Sequence, residues 1–545
     1  VSITVAGERL VIRFDRFDLE SYDLFLKAKR LPEFQVEFEE QTEAYTITAP
    51  ARFAPMLGVP LPEASAQALP LAEFLFDDQD AITRMALDAK RFACWSACGT
   101  GKTLIGLEFA RHVCHRIGGR VLIVTVNEVV QQWLDEAAKF YGDRLPVHRI
   151  RAREEMRHWC QHGGEDGAQI AVVNYEKWNP ERLETQVVSE ARYLAGVVLD
   201  EASRLKASGG KQKWALIKSC RGIEYKLTLT ATPAPNELME YASQASFLEK
   251  MRSEGEIIWT FFRRDEKTHR WTVKPHAREA FFRFMAGWSI YVNNPKQYGW
   301  RLSIPEAPEP TVFVHEIEPT PEQLELRQRF SGERNGQLLL WGTDATNAIQ
   351  RAKLSQTAKG FRYLKGEAAK KYERIPSRKP EFVANLIREE VASGHQVLVW
   401  TVFNAESKIL AELLAEGGMQ TFDLLTGDTK EAERLAVLER FRGGASRCLI
   451  SRAAMLGFGM NFQCCTSMIF SGFDDSWERM YQAIRRAYRH GQTQSVRVHI
   501  PVIHDLEGDM WENICAKESR HTAAIEEMER NYIKATNEIK GRDVA

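Results

Sequence analysis

Residues Gln482 to Gln492 read QAIRRAYRHGQ. At helical spacing Gln482, Arg486 and Arg489 share one stripe, at intervals of four and three residues. Guanidinium groups stay charged and fork onto phosphate oxygens. Alone, the stretch fits a solvated basic helix equally well, because Arg485 and His490 stand beside the stripe. The upstream sequence Gly99-Thr100-Gly101-Lys102-Thr103, whose lysine lies 384 residues before Arg486, favours the phosphate reading. A phosphate loop and distant arginines together predict two lobes that close on one nucleotide, the layout of a motor. Arginines placed this way typically raise turnover by ~10³–10⁵.

The loop precedes an amphipathic helix that carries Leu104, Leu107 and Phe109. Glycines let backbone N–H groups approach phosphate oxygens, and the helix N-terminus adds partial positive charge. Lys102 is then placed for the β- and γ-phosphates and Thr103 for Mg²⁺. The long form of the motif would begin at Ser96, where glycine is usual. Further on, Val197-Val198-Leu199-Asp200-Glu201-Ala202-Ser203 is an apolar strand that ends in two carboxylates, where open α/β sheets place ligands. Asp200 is the candidate Mg²⁺ ligand and Glu201 the candidate for polarising the attacking water. Leu227 to Pro233 is a strand ending in hydroxyls, with Thr230 and Thr232 as candidates for coupling phosphate sensing to the other lobe. The amide of Gln79 offers one donor and one acceptor face suited to adenine, although a surface glutamine is the commoner case.

In the second half, residues 351–380 hold ten lysines and arginines against Glu367 and Glu373, a net of +8. Phe361, Tyr363 and Tyr372 interleave them. Arg351, Lys353, Lys359, Arg362 and Lys365 are therefore candidates for a phosphate backbone. The same residues also fit a solvated hairpin. Thr426, at a strand end, and the loop Ser451 to Asn461 can present hydroxyl and N–H groups to phosphates.

Composition sets bounds. The 545 residues suffice for two to four domains, with 44% hydrophobic and 27% charged residues. A formal charge of −1 means that nucleic-acid affinity must come from local patches. The nine cysteines form no CxxC pairs and read as small buried apolar residues of a reducing cytoplasm. The sequence contains neither a run of 18 apolar residues nor a basic-then-apolar start. Residues 1–70 alternate apolar and polar, with a helix expected near 18–29 and a strand near 44–49: a small α+β accessory domain. Strand–helix alternation over 71–250 predicts a parallel sheet covered by helices, with strands at Val121–Val126, Ile170–Val173, Val197–Leu199 and Leu227–Leu229. Residues 251–311, with seven aromatics between Trp259 and Phe284, read as a helical extension and interlobe linker. A second alternation over 312–505 predicts another α/β lobe, with strands at Val397–Val402, Phe422–Leu425, Cys448–Ile450, Met468–Phe470 and Val496–Ile500. Residues 506–545 read as a bracing helix and tail.

Taken in order, these motifs resemble the superfamily II helicases, and among them the Swi/Snf-like DNA translocases. The matching pieces run from Gln79 to about residue 515. They include Gly99–Thr103, Gln132-Trp133, Val173-Asn174-Tyr175-Glu176, Asp200–Ser203 and Leu229–Asn236. In the second half they are Leu425-Thr426-Gly427, Gly457–Asn461 and Gln482–Gln492. The resemblance implies two RecA-like lobes with ATP and Mg²⁺ in the cleft. It implies adenine contact by Gln79, phosphate contacts by Gly99, Thr100, Gly101, Lys102 and Thr103, and Mg²⁺ and water at Asp200 and Glu201. From the second lobe it implies Gly459 and Gln482 lining the nucleotide and Arg486 and Arg489 as arginine fingers. Such proteins usually move along duplex DNA without separating its strands. The sequence departs from the family at Ser203, where histidine is commoner, and at Tyr488 and His490.

Gly360-Phe361-Arg362-Tyr363 with Ser377-Arg378-Lys379 looks like prokaryotic and phage members. The expectation is a monomeric, cytoplasmic, DNA-dependent ATPase of a bacterium or phage, acting on duplex or branched DNA in repair, recombination or replication. A strand-separating helicase, an RNA-stimulated ATPase acting on RNA polymerase and a non-catalytic nucleic-acid scaffold are the alternatives.

Overall fold

The protein is described from a computed structural model. The structure describes residues 1–539 except 7–8, 16–17, 32–33, 43, 60–68, 98, 165–166, 178–193, 207–210, 235–237, 266–270, 302–306, 333–343, 365–370, 457–460 and 490–491. The fold is α/β, with two all-parallel sheets and a small antiparallel one. Two compact units account for the chain: Val1–Ser303 with His521–Ala545, and Ile304–Arg520.

The first unit opens with strands β1 (Ser2–Ala6), β2 (Arg9–Phe14), β3 (Gln35–Glu39) and β4 (Ala44–Pro50), in the order β1-β2-β4-β3. In β2, Leu10, Ile12 and Phe14 alternate inward and are fully buried, the period-2 pattern of a sheet with one wet face. The helix Leu19–Ala28 closes this core. Its N-cap Asp18 accepts the Ser21 N–H at 2.7 Å, and Ser21 Oγ accepts the Asp18 N–H. Both the helix near 18–29 and the strand near 44–49 are present.

The main sheet of this unit comprises β5 (Arg91–Ser96), β6 (Arg120–Thr125), β7 (Val147–Arg149), β8 (Ile170–Asn174), β9 (Leu194–Asp200), β10 (Tyr225–Thr230) and β13 (Ser289–Val292), in the order β13-β5-β10-β9-β6-β8-β7. Its central strands are buried on both faces, which is why they read as unbroken apolar runs. The helix Lys102–Ile117 packs on them and is tied down by Glu108, which is fully buried. Glu108 accepts from the Ala72 N–H at 2.8 Å, Tyr141 Oη at 2.7 Å and Arg111 Nη2 at 2.6 Å. Burial alone would raise the Glu108 pKa, but these donors and His112 hold it at about 2.

Residues 251–300 are more than a helical extension. Between the helices Glu254–Phe261 and Arg278–Ala286 lies a hairpin of β11 (Phe262–Arg264) and β12 (Trp271–Val273), and β13 then joins the main sheet.

The second unit holds a six-stranded parallel sheet of β14 (Thr311–Glu316), β17 (Val397–Thr401), β18 (Phe422–Leu425), β19 (Cys448–Arg452), β20 (Ser467–Phe470) and β21 (Arg497–Val502), in the order β14-β21-β20-β17-β19-β18. A short hairpin, β15 (Phe361–Tyr363) and β16 (Tyr372–Arg374), lies beside it in sequence. The helix His504–Ile539 contributes to both units. In the first unit its buried Tyr532 bonds Ser289 Oγ, and Glu529 Oε1 accepts the Asn293 N–H at 2.8 Å. The eight described cysteines are free thiols, six of them buried. Among the described residues no helix is long and apolar enough to cross a membrane.

Candidate nucleotide site

Parallel strands deliver their C-terminal ends to one edge of a sheet. In the first unit β10 lies between β5 and β9, with Thr230 level with Trp95 and Leu229 level with Asp200. The loop after β5, the acidic end of β9 and the hydroxyl end of β10 therefore meet at the edge where open α/β sheets take ligands.

The loop is built for close approach. Gly99 and Gly101 have φ of 87° and 78°, a region that side chains with a Cβ disfavour. A Cβ on Gly101 would also lie 2.2 Å from Gln79 Nε2. Thr100 Oγ1 donates to the Ala97 carbonyl at 2.9 Å. Lys102 Nζ donates to the carbonyls of Ser96 (2.8 Å) and Ala97 (2.9 Å), so its ammonium rests inside the loop. Thr103, in the first turn of the following helix, is buried. Gln79 is buried as well, and its amide is in use. Its Oε1 accepts the Phe76 N–H at 3.1 Å and its Nε2 donates to the Thr100 carbonyl at 3.0 Å. An adenine contact would have to share or replace one of these bonds.

Asp200 is the best-supported side chain of the site. Its Oδ2 accepts from Thr125 Oγ1 at 3.0 Å and Trp133 Nε1 at 2.9 Å, and its Oδ1 accepts the Glu201 N–H at 2.9 Å. Burial pushes the Asp200 pKa up, while the Trp133 and Thr125 donors and the Lys102 charge pull it back. Glu201 has a φ of 50°, an uncommon conformation for a side chain of this size and one that concentrates at functional sites. Thr230 and Thr232 are fully buried, and Thr230 Oγ1 accepts the Thr232 N–H at 3.2 Å.

Sequence reasoning gave no role to several residues that hold this edge together. Thr125 and Trp133 fix the Asp200 carboxylate. Tyr175 Oη donates to the Asp200 carbonyl at 2.8 Å. Gln244 accepts from Trp95 Nε1 (2.9 Å) and Thr228 Oγ1 (3.1 Å), linking β5 to β10. Trp133 and Tyr175 stood inside quoted motifs, but nothing in their spacing revealed what they touch.

Magnesium and ATP fit this donor set. Positive-φ glycines before a helix N-terminus suit phosphate, and the Thr103 hydroxyl and Asp200 carboxylate are hard oxygen donors of the kind Mg²⁺ takes.

In the second unit the predicted stripe is corrected. The helix Trp477–Ile484 ends before the arginines, and Arg485 to Ala487 continue as turns, with a bend at Tyr488. The Arg486 N–H bonds the Ala483 carbonyl at 3.2 Å, and the Arg486 carbonyl accepts the Phe462 N–H at 2.9 Å, which diverts it from the helical ladder. Gln482 is thus helical, whereas Arg486 and Arg489 are not, although Gln482 and Arg486 are both buried. Arg489 Nε donates to the Arg485 carbonyl at 3.2 Å. Gly459, His490 and Gly491 lie outside the described residues. Thr426 forms a hydroxyl turn with Thr429, whose Oγ1 accepts the Thr426 N–H at 3.1 Å.

The basic patch at 351–380 is corrected too. Lys359 is buried, with Nζ 2.5 Å from Glu507 Oε1 and 2.7 Å from Ser355 Oγ, so it cannot meet a phosphate backbone. Lys379, equally buried, bonds Glu507 Oε2 at 2.5 Å. Arg351 pairs with Asp475 at 2.8 Å, Arg362 with Glu373, and Arg374 with Glu412 at 2.5 Å. Lys353 sits 5.3 Å from the Phe330 ring centroid. Lys365 lies outside the described residues. The sequence count of +8 overstates the charge this region can offer, because four of its ten cations are matched by acids outside the segment.

Comparison with known proteins agrees with the motif order. Residues 71–235 match the family described as "Type III restriction enzyme, res subunit", and residues 378–491 match "Helicase conserved C-terminal domain". The chain is 23% identical over 463 residues to the chromatin remodeling factor mit1 of Schizosaccharomyces pombe, covering 80% of this chain and 31% of that protein. It is 23% identical over 421 residues to the putative ATP-dependent helicase/translocase YwqA of Bacillus subtilis, covering 74% of this chain and 43% of that protein. Among solved structures, the SWI2/SNF2 ATPase core of Sulfolobus solfataricus in complex with dsDNA is 17% identical at a TM-score of 0.38, covering 88% of this chain and 100% of that one. The chain thus spans less than half the length of these curated relatives. The res-subunit match spans β5 to β10 and the helicase C-terminal match spans β17 to β20, so each parallel sheet carries a helicase-family domain.

Proposed function

We propose that the chain is an ATP-hydrolysing motor that moves along duplex or branched DNA, in repair, recombination or replication of a bacterium or phage. The observation that carries this reading is the Asp200 carboxylate, held by Trp133, Thr125 and the Glu201 N–H at the same sheet edge as Lys102 and Thr230. A carboxylate fixed by three donors beside a phosphate loop is preorganised for phosphoryl chemistry.

The residues divide the work. Gly99, Thr100 and Gly101 offer backbone N–H groups to phosphate oxygens. Lys102 exchanges the Ser96 and Ala97 carbonyls for the β- and γ-phosphates. Thr103 and Asp200 hold Mg²⁺, which when bound neutralises phosphate charge. Glu201 orients and polarises the attacking water. Arg486 and Arg489 supply positive charge as the γ-phosphoryl departs, with Gln482 and Gly459 lining the nucleotide. Thr230 and Thr232 pass the state of the γ-phosphate towards the DNA-binding surfaces. DNA binding belongs to the strand-end loops, including Thr426, to Lys353, and to Arg351 and Arg362, whose carboxylate partners are exposed enough to exchange. We place the protein in the cytoplasm of the bacterial cell or the phage-infected host and read it as a monomer.

The test is ATP turnover of the full chain with duplex, single-stranded and forked DNA and with RNA. Duplex or forked DNA should stimulate turnover most. Equal turnover with no nucleic acid would refute the motor. Stimulation by RNA alone would replace DNA as its track. Displacement of a triplex third strand without unwinding of a fork would separate translocation from strand separation.

A further inference from the structure

The first unit has a second concave surface, remote from the candidate nucleotide site. The parallel strands put the phosphate loop, Asp200 and Thr230 at their C-terminal ends. Arg91 opens β5, and Lys226 is the second residue of β10, so both mark the opposite edge. Near them lies a cavity of about 690 Å³, whose lining includes Trp214, Lys218, Arg221, Lys250, Arg252 and Phe284. Phe34 and Gln35 of the small N-terminal domain reach it as well.

Its charge is positive. Lys218, Arg221 and Arg252 are exposed and make no ion pair among the described residues. The two lining carboxylates are already engaged. Glu249 accepts from Lys226 Nζ at 2.5 Å, Arg91 Nη1 at 2.9 Å and the Gly222 N–H at 2.8 Å. Glu256 Oε2 accepts the Arg252 N–H at 2.8 Å.

Its aromatic surface is held in place. Trp214 is 37% exposed, so part of its ring is open to solvent on the groove. Lys213 Nζ lies 4.8 Å from the Trp214 ring centroid. Lys213 is itself 4% exposed and bonds Glu254 at 2.9 Å, which locks the helix Lys211–Ser219 to the helix Glu254–Phe261. Phe284 is half-buried on the next helix.

Unpaired cations interleaved with stacking rings are the recognition chemistry of single strands, since every base has a π-face and every linkage a charge. An acidic peptide would satisfy the cations but leave the indole without a planar partner. The volume is that of a small-ligand pocket, far less than a duplex segment occupies. We propose that this groove binds a single-stranded nucleic-acid segment, its phosphates on Lys218, Arg221 and Arg252 and its bases stacked on Trp214 and Phe284. Its use, to retain a displaced or unpaired strand beside the track, rests on the motor reading, whereas the binding itself does not.

The experiment measures anisotropy of a short fluorescein-labelled oligothymidylate, and of a labelled hairpin duplex, on the full chain. It compares wild type with K218E/R221E/R252E, W214A and W214F. The triple variant should weaken single-strand binding at least about tenfold and flatten the log K against log salt slope by about 2, since each single-strand phosphate contact contributes about 0.7. W214A should weaken it about tenfold through lost stacking, and W214F should restore most of that loss. Duplex binding and duplex-stimulated ATP turnover should stay at wild-type levels in all variants. Unchanged single-strand affinity and slope in the triple variant would overturn the proposal. So would equal losses for the duplex, or displacement of the oligonucleotide by polyglutamate at matched charge. A wild-type chain whose turnover ignores DNA would defeat the motor and leave the anisotropy result to decide the groove.

Discussion

Replacing Glu507 by glutamine tests a buried cluster of three charged groups in the second unit. Glu507 is fully buried and receives two ammonium groups, Lys359 on Oε1 and Lys379 on Oε2, each at 2.5 Å and each with a side chain 1% exposed. The surroundings are tight. A Cβ on Gly472 would lie 2.6 Å from Lys359 Cε and 2.7 Å from Glu406 Oε1. Glutamine keeps the shape and one acceptor but removes the charge facing both lysines. Removing one partner of a buried ion pair costs about 3–5 kcal/mol, against a typical domain stability of about 5–15 kcal/mol. Urea unfolding of the full chain, followed by amide exchange in residues 351–380 and 504–520, should show that loss at pH 7. Replacing all three groups by apolar side chains (K359M/K379M/E507L) should recover most of it, because no charge is then stranded.

The pH dependence gives a sharper check. Burial pushes the Lys379 pKa down to about 8; Glu507, the largest opposing influence, keeps it from falling further. A lysine whose folded pKa lies below its unfolded value of about 10.4 destabilises the fold while it is charged there. The unfolded chain then binds more protons across that interval, so wild-type stability should rise as pH climbs from about 8 towards 10. In E507Q the Lys379 pKa falls further, so the variant escapes its penalty at lower pH and its deficit is larger at pH 6 than at pH 9. A deficit below about 1 kcal/mol at pH 7, or one that ignores pH, would refute a charged, mutually dependent triad.

Lys102→Ala and Arg489→Ala should each abolish DNA-stimulated ATP hydrolysis with circular dichroism unchanged; full stimulated turnover in either would remove that residue from the mechanism. Thr125→Val keeps the shape of a buried side chain but deletes one donor to Asp200. A hydrogen bond to a charged group is worth about 1.5–3 kcal/mol, so kcat should fall about 10- to 150-fold, and a fall under threefold would show that the bond is dispensable. Gly101→Ala places a Cβ 2.2 Å from Gln79 Nε2 at a φ of 78°, and should raise the KM for ATP about tenfold or more in steady-state assays. Gln79→Glu keeps the acceptor for the Phe76 N–H and loses the donor to Thr100; the ratio of kcat/KM for ATP over GTP should fall if Gln79 also reads adenine and stay constant if it serves the loop alone.

The strands most legible in the sequence were those whose environment is uniform. β6, β8, β9 and β10 are buried on both faces, so their apolar runs announced them. β5 escaped notice although it leads into the phosphate loop. It reads Arg-Phe-Ala-Cys-Trp-Ser, and its Trp95 belongs in the core only because Gln244, 149 residues away, accepts its indole N–H. β7, β13 and β14 are edge strands, and β14 alternates between exposed and half-buried positions. Edge position alone does not hide a strand, since the edge strand β18 was legible; β7 has three residues, too few for a pattern to stand out.

The site was legible in its chemistry more than in its geometry, and the two corrections share a cause. Helical spacing from Gln482 to Arg489 is a local rule, but the helix ends where Phe462, 24 residues earlier, captures the Arg486 carbonyl. Counting cations over 351–380 is likewise local, but Lys359 and Lys379 are both held by Glu507, 148 and 128 residues away. Spacing and composition report what a segment can offer, and distant partners decide what it keeps. Lys102 escaped this error because its neighbours are its own loop: the Ser96 and Ala97 carbonyls lie six and five residues away, inside the motif that was read. A cation held by its own motif remains free to exchange those carbonyls for phosphate. A cation held by a buried carboxylate from another element is structural, however basic the sequence around it.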